Sequence, residues 1–320
     1  MAWEKSMNRF CWAVVISVVV CCGLSSATAA HRVVLQGNGK LAIVEKDGEI
    51  SWQVKWGGIH DIHVLPSGNI MVQQGSRKVV EIDRKTRKVV WSYDSGVANG
   101  NRGKAIEVHA FQPLAGGRVM IAESGVGRII EIDRAGKIHR TIKLHVHKPH
   151  PHRDTRLVRK LATGNYLVCH EGDGAVREYD GKSGQVVWDY DVPLFGKERR
   201  GGHGPEAWGN QCFAAVRLKN GNTLIATGNG HSVLEVTAAG KIAWKLEQND
   251  LPGITLAWVT TLEVLPNGHY VIGNCHAGPK NPLVIEIEPK TKRVVWKLDR
   301  FADFGNSVPN SQVLDVKTVR

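Results

Sequence analysis

One pattern recurs along this chain, and residues 59–94 carry its clearest copy: IHDIHVLPSGNIMVQQGSRKVVEIDRKTRKVVWSYD. Apolar residues fall at every second position in four short runs, separated by turn-forming Pro, Ser, Gly, Asn, Asp and Lys. Period-two alternation broken by such turns marks antiparallel strands. Aligning later copies on the Leu before the first turn gives Leu65, Leu114, Leu161, Leu218, Leu265 and Leu314, spaced by 49, 47, 57, 47 and 49 residues. Four strands at a period of this length describe a propeller blade.

The sixth copy has only its first strand, in residues 307–316. The missing strands stand near the other end of the chain, as HRVVLQGN, KLAIVEKDG and EISWQVKW. A unit split between the ends closes a ring and removes the open sheet edges of a linear array. The predicted fold is therefore an all-β, six-bladed β-propeller with four-stranded antiparallel blades. The blades are 31–56 with 307–316, then 59–94, 107–144, 154–192, 209–247 and 256–299.

Residues 1–30 differ in kind. Lys5 and Arg9 precede the apolar run Ala13 to Leu24, followed by small residues ending Ala27-Thr28-Ala29. This predicts a cleaved secretory signal and an exported, periplasmic or secreted product. No other stretch is long and apolar enough for a membrane span. Beyond the signal only Cys169, Cys212 and Cys275 remain. That count allows one disulfide or none, so a disulfide framework is excluded. The formal net charge of +12 would suggest nucleic acid in a cytosolic protein. In an exported one it points to small anionic or carbohydrate-like ligands, or to a protein partner.

Residues that repeat belong to the scaffold. Trp52, Trp91, Trp188, Trp244 and Trp296 end the fourth strands, with His139 read at that register in the third blade. Glu81, Glu131, Glu178, Glu235 and Glu286 share one third-strand position. Both sets are expected to hold blades together.

Residues that break the repeat are the functional candidates. Five positions before each anchor Leu stand His60, His109, Arg156, Phe213, Thr260 and Pro309, and one step later Asp61, Ala110, Leu157, Ala214, Thr261 and Asn310. The second strands end in Gln36, Gln74, Glu123, His170, Thr227 and Asn274, with His276 close behind. In a propeller both sets surround one mouth of the central channel, where ligand sites form. His60, His109, His170 and His276 are the candidate catalytic groups; Asp61, Glu123, Arg156 and Asn274 are candidate ligand contacts. Two of three long loops entering this face add more. In 145–153, His145, His147, His150 and His152 alternate on a Pro-stiffened segment that suits zinc or copper. In 193–208, Arg199, His203 and Trp208 stand among glycines, suited to an oxyanion or a sugar ring.

The segments EIDRKTRKVVW, REYDGKSGQVVWDY and EIEPKTKRVVW resemble the repeat of quinoprotein-like propellers, and the LPxGN–VxEID–KVVW order is similar to arylsulfotransferase-type propellers. The resemblance spans 31–316 and rests on blade architecture. A quinone-dependent dehydrogenase of this superfamily implies eight blades, a calcium ligand cluster and often a vicinal disulfide. Here the adjacent Cys21-Cys22 pair lies in the signal, so pyrroloquinoline quinone is disfavoured as cofactor. An arylsulfotransferase-like enzyme implies a histidine nucleophile with basic neighbours at the mouth. The leading expectation is a basic, His-rich mouth that binds a ligand or partner; the alternative is group transfer on a mouth histidine.

Overall fold

The computed structural model describes Met1 and residues 30–320, so the signal-like segment lies outside the described residues. Six four-stranded antiparallel sheets are arranged as blades 1 to 6. The innermost strands are Ser311–Val313, Ile62–Val64, Glu107–Pro113, Val158–Lys160, Ala214–Arg217 and Trp258–Val264. In blade 1 the C-terminal strand pairs antiparallel with Val33–Gly37, matching Val33 to Val313 and Leu35 to Ser311. The ring therefore closes through the split unit. No helix among the described residues is long and apolar enough to cross a membrane.

Each sheet alternates its side chains between two faces, and each face is covered by the next blade. One such layer packs Ile62, Ile70, Val72, Val80 and Ile82 of blade 2 against Val34, Leu41 and Ile43 of blade 1. The repeated polar residues lie at the outer ends of these interfaces. The turn residue of LPxGN holds the third-strand carboxylate of its own blade: Asn69 on Glu81 at 2.7 Å, Asn165 on Glu178 at 2.7 Å, Asn222 on Glu235 at 2.6 Å and His269 on Glu286 at 2.7 Å. The carboxylate then meets a donor from the following blade. Arg134 meets Glu81, Lys160 meets Glu131, Arg217 meets Glu178, and Tyr270 reaches Glu235. At the seam His31 of blade 1 reaches Glu286 of blade 6 at 2.9 Å, continuing the latch across the closure.

The recurring Trp works beside it. Indole Nε1 donates to a backbone carbonyl in the next blade: Trp52 to Arg84 at 2.8 Å, Trp91 to Arg134 at 2.8 Å, Trp188 to Ala238 at 3.1 Å and Trp244 to Pro289 at 2.9 Å. In blade 3 the residue at this register is Arg140, not His139. Arg140 lies opposite Glu131 and donates to the Gly181 carbonyl of blade 4. The hairpin DRAGKIHR is one residue shorter than DRKTRKVVW, like TAAGKIAW in blade 5, and this moves the register by one. His139 instead faces Asp133 of its own hairpin.

The channel is closed at depth by charge. Arg159 of blade 4 makes a two-pronged contact with Asp61 of blade 2, at 2.8 and 2.9 Å. These blades are not neighbours, so the pair spans the central axis. Asp61 also accepts from the backbone N–H groups of Ile62 and Phe111, at 2.9 and 3.1 Å. Below it the Arg320 guanidinium donates to the Ile62 carbonyl at 2.8 Å. Asp61 is fully buried and committed to this pair, which removes it from the ligand contacts expected above. Arg159 and neighbouring His63 hold its carboxyl well below the usual range against the opposing effect of burial.

A buried pair broken on one side leaves an uncompensated charge, which costs about 3–5 kcal/mol. Asp61→Ala should therefore lower stability by about that amount in urea unfolding, whereas Asp61→Leu with Arg159→Leu should recover most of it. Equal loss in the single and double variants would show that the pair itself is not the constraint.

Candidate functional site

The column read five positions before each anchor Leu converges above the Asp61–Arg159 pair. His60, Arg156, Phe213, Thr260 and Pro309 line one inner pocket of about 110 Å³, completed by His152, His203, Trp258, Cys275, His276 and Ser307. The rings of His60 from blade 2 and Phe213 from blade 5 are 6.5 Å apart, which places the pocket on the axis. His109 lies beneath it, its ring 4.4 Å from that of His60. A register break between Val108 and Ala110 makes a β-bulge at His109. Bulges re-aim a side chain in this way.

Arg156 organises the floor. Its Nη1 lies 3.0 Å from His109 Nδ1 and donates to the His152 carbonyl at 2.7 Å, while Nη2 lies 3.2 Å from His152 Nε2. Glu171 forms its ion pair. Burial pushes the Glu171 carboxyl up, and that opposes Arg156, which draws it down. Glu107 meets His109 Nε2 at 2.9 Å and His152 Nδ1 at 2.8 Å, and these contacts bring its carboxyl down to about 2. The one guanidinium lining the inner pocket is thus backed by two carboxylates that lie outside its lining, Glu171 directly and Glu107 through the two histidines.

Burial favours the neutral form of His60, His109, His203 and His276 around the pocket. Burial brings His109 down to about 4, partly offset by Glu107. It also takes His60 well below the ordinary range, helped by His109 and Arg156. His60 Nδ1 lies 3.3 Å from Gln73 Oε1, an acceptor, so the ring hydrogen sits on Nδ1 and Nε2 keeps its lone pair. On the far side His203 packs on Trp258 at 4.5 Å and on His276 at 5.0 Å, and burial lowers both imidazoles. His276 adopts a φ of 63°, a left-handed conformation uncommon outside glycine.

A second depression of about 390 Å³ adjoins the first, sharing His203 and Trp258. Lys148, Arg153, Arg199 and Arg200 line it, with Trp208, Asn210 and Glu171. Its outer wall is the 193–208 insertion, pinned by paired backbone bonds between Arg200 and Trp208 at 2.8 and 2.9 Å. Gly202, at a φ of 114°, makes the turn that carries His203 over the axis. The basic character of the mouth is therefore in this outer groove, not in the inner pocket. Trp208 faces the groove, but the Lys197 ammonium covers its ring at 3.7 Å, so Trp258 offers the freer aromatic surface.

Several expected contacts lie elsewhere. His170 is fully buried away from the pocket, with Nδ1 on the Asp154 carbonyl at 2.7 Å and Nε2 on the Tyr179 hydroxyl at 2.9 Å; burial brings it down to about 3. Glu123 is buried against Arg128 and Asn101, tying down the 95–106 loop. Asn274 accepts from the Ala257 N–H and donates to the Thr255 carbonyl, at 2.8 and 3.1 Å. The loop histidines do not converge: His145 and His147 line a flank depression of about 690 Å³ between blades 3 and 4, while His152 joins Glu107. Cys169, Cys212 and Cys275 are free buried thiols, and the first two share one interblade cluster. The columns passed over Glu107 and Trp258. Glu107 had a signal, since it stands two positions before His109 and so on the same strand face.

These features define a propeller with an axial, histidine-lined pocket and a cationic antechamber. A family profile described as PQQ_2, outer membrane protein assembly factor BamB, matches residues 37–298, and the chain belongs to that family. No curated protein matches it in sequence. Among solved structures it is similar to a protein of unknown function from Bacteroides caccae, at 23% identity and TM-score 0.70, covering 91% of this chain and 100% of that one. It also resembles a streptogramin B lyase, at 10% identity and TM-score 0.54, covering 86% and 84%. A catalytically inactive virginiamycin B lyase from Staphylococcus aureus with quinupristin gives 12% identity and TM-score 0.53, covering 86% of each. These likenesses are of fold.

His60, His63, His109 and His170 all titrate below the ordinary histidine value in the folded protein. Below pH ~6.5 the unfolded chain binds more protons at these positions, so stability rises with pH there. Their contribution is complete above about pH 6.5 and is lost as pH falls toward 4, at up to about 1.4 kcal/mol per pH unit for each group. The thermal midpoint should fall clearly between pH 7.5 and 5, and His170→Asn should flatten that slope. A midpoint unchanged across the interval would mean these rings are not held neutral.

Proposed function

We propose that this is an exported propeller that binds a small anionic or carbohydrate-like ligand at the axial mouth. The outer groove carries the reading: four basic side chains, Lys148, Arg153, Arg199 and Arg200, surround a concave space with one carboxylate, Glu171, already paired with Arg156. Guanidinium forks match the oxygens of a sulfate or carboxylate. Asn210, Gln211 and Asn229 supply amide groups for hydroxyls, and Trp258 a ring face. A recessed space of this size suits a small molecule better than a protein surface.

Calorimetric titration with glucose 6-sulfate, galacturonate and glucose tests this reading. The two anions should bind and glucose should bind at least tenfold more weakly. Arg199→Ala with Arg200→Ala should weaken anion binding about tenfold or more, with the thermal midpoint nearly unchanged. Equal affinity for glucose, or affinity unaffected by the double substitution, would end the proposal.

His60 favours a second reading, histidine-mediated group transfer. Its neutral ring, with Nδ1 turned to Gln73, directs a lone pair toward the pocket that also holds Arg156. In transfer from an aryl sulfate, His60 Nε2 would form a bond to sulfur as the S–O bond breaks and its electron pair leaves on the phenolate. An acceptor phenol would then take the sulfuryl group as the N–S bond breaks and its proton passes to solvent. Arg156 would offset charge on the sulfuryl oxygens. Intact-mass measurement after mixing with 4-nitrophenyl sulfate should show an added sulfuryl group that His60→Ala removes. No adduct and no phenolate release would leave binding alone.

A further inference from the structure

Glu107 and His109 from the innermost strand of blade 3 meet His152 from the 145–153 loop at the edge of the inner pocket. One ligand atom from each lies within 4.8 Å of the other two. Both rings address the same carboxylate atom, Oε2 of Glu107, at 2.9 Å from His109 Nε2 and 2.8 Å from His152 Nδ1.

Two contacts compete for His109 Nδ1. The buried Thr155 carbonyl lies 2.9 Å from it and has no other donor among the described residues, while Arg156 Nη1, which can only donate, lies 3.0 Å away. With the ring hydrogen on Nε2, that hydrogen bonds Glu107 and Nδ1 accepts from Arg156, leaving the Thr155 carbonyl without a donor. With it on Nδ1, Thr155 is satisfied and Nε2 turns a lone pair toward Glu107 Oε2, a pairing that a cation joins. A metal ion takes both atoms as ligands, and a ligating histidine commonly donates its other ring N–H to a backbone carbonyl. The charges leave room for it, because Glu171 offsets Arg156 and Glu107 remains.

We propose that Glu107, His109 and His152 form a binding site for a divalent transition-metal ion of the zinc type. Two imidazoles and one carboxylate suit such an ion and leave its remaining positions open. Those positions face the pocket beside His60, whose ring lies 4.4 Å from His109 and 6.0 Å from His152. Metal–ligand bonds of about 2.0–2.1 Å in a tetrahedral site set the donor atoms about 3.3 Å apart. The contacts must therefore open by a few tenths of an ångström. His152 is placed to allow this, with its side chain 48% exposed on a loop, while His109 stays fixed by Thr155. The site differs from a four-histidine loop site, since His145 and His147 lie on the flank between blades 3 and 4.

The chain, purified without a histidine tag and stripped with chelator, should be titrated with zinc against a chromophoric competitor. Cobalt, followed by its visible d–d absorption, reports the ligand set directly. One equivalent of each metal should bind, and Glu107→Gln and His152→Ala should each weaken binding at least tenfold. His145→Ala, His147→Ala and His150→Ala combined should leave it unchanged. Both diagnostic positions are partly exposed, so thermal midpoints close to the parent protein's will confirm folded variants. The proposal is overturned if the parent chain binds neither metal. It is equally overturned if Glu107→Gln and His152→Ala bind as the parent does, or if the combined loop substitution abolishes binding.

Discussion

The ring stands on a contact made between blades, not within them. A four-stranded sheet of this kind has two apolar faces and can bury them only between two neighbours. Five of the six interfaces are then fixed in register by a third-strand carboxylate received by the next blade, and in four of these blades its own turn also holds it; blade 1 has Ile43 at this position. Burial supplies most of the stabilisation, while the carboxylate latch and the Trp indole set the angle at which blades meet. At the seam, where the chain is discontinuous, His31 takes the donor's part toward Glu286. The closing strand Ser311–Val313 adds the backbone ladder there.

Once interfaces are fixed this way, the axis is left to residues that need not repeat. Two of its layers have different chemistry. The deeper one holds the Asp61–Arg159 pair, which joins non-adjacent blades, with Arg320 on the Ile62 carbonyl and near Glu263. The upper one holds His60, His109 and Arg156, with Phe213 and Thr260 beside them, and opens to the surface. The same chain face therefore contains both a structural ion pair and a candidate site, separated by a single residue step between His60 and Asp61.

The net positive charge of the chain is spread unevenly across this mouth. Inside, buried rings lose their protons because desolvation outweighs the nearby carboxylates. Outside, arginines of an insertion stay solvated and charged. A ligand entering would pass from a cationic antechamber to a pocket of imidazole rings beside a single guanidinium. That order suits attraction first and specific contact second. It also separates the two functional readings, one resting on Arg199 and Arg200 and the other on His60.

Much of this was legible in the residue order. Period-two runs, the fixed repeat and its split copy determined blade number and the mode of closure, because each is a local or periodic property. The column arithmetic placed His60, Arg156, Phe213 and Thr260 at one mouth for the same reason. The Trp register in blade 3 was also available, since the shortened hairpin before Arg140 matches that of blade 5. Tertiary structure alone decided what each polar residue does. Asp61 and His60 are adjacent in sequence, yet one is sealed by Arg159 from two blades away and the other faces a cavity. His152 left its loop companions because Glu107, 45 residues earlier, holds it. Partner choice across a ring depends on the distances between blades, and these arise only when the ring closes.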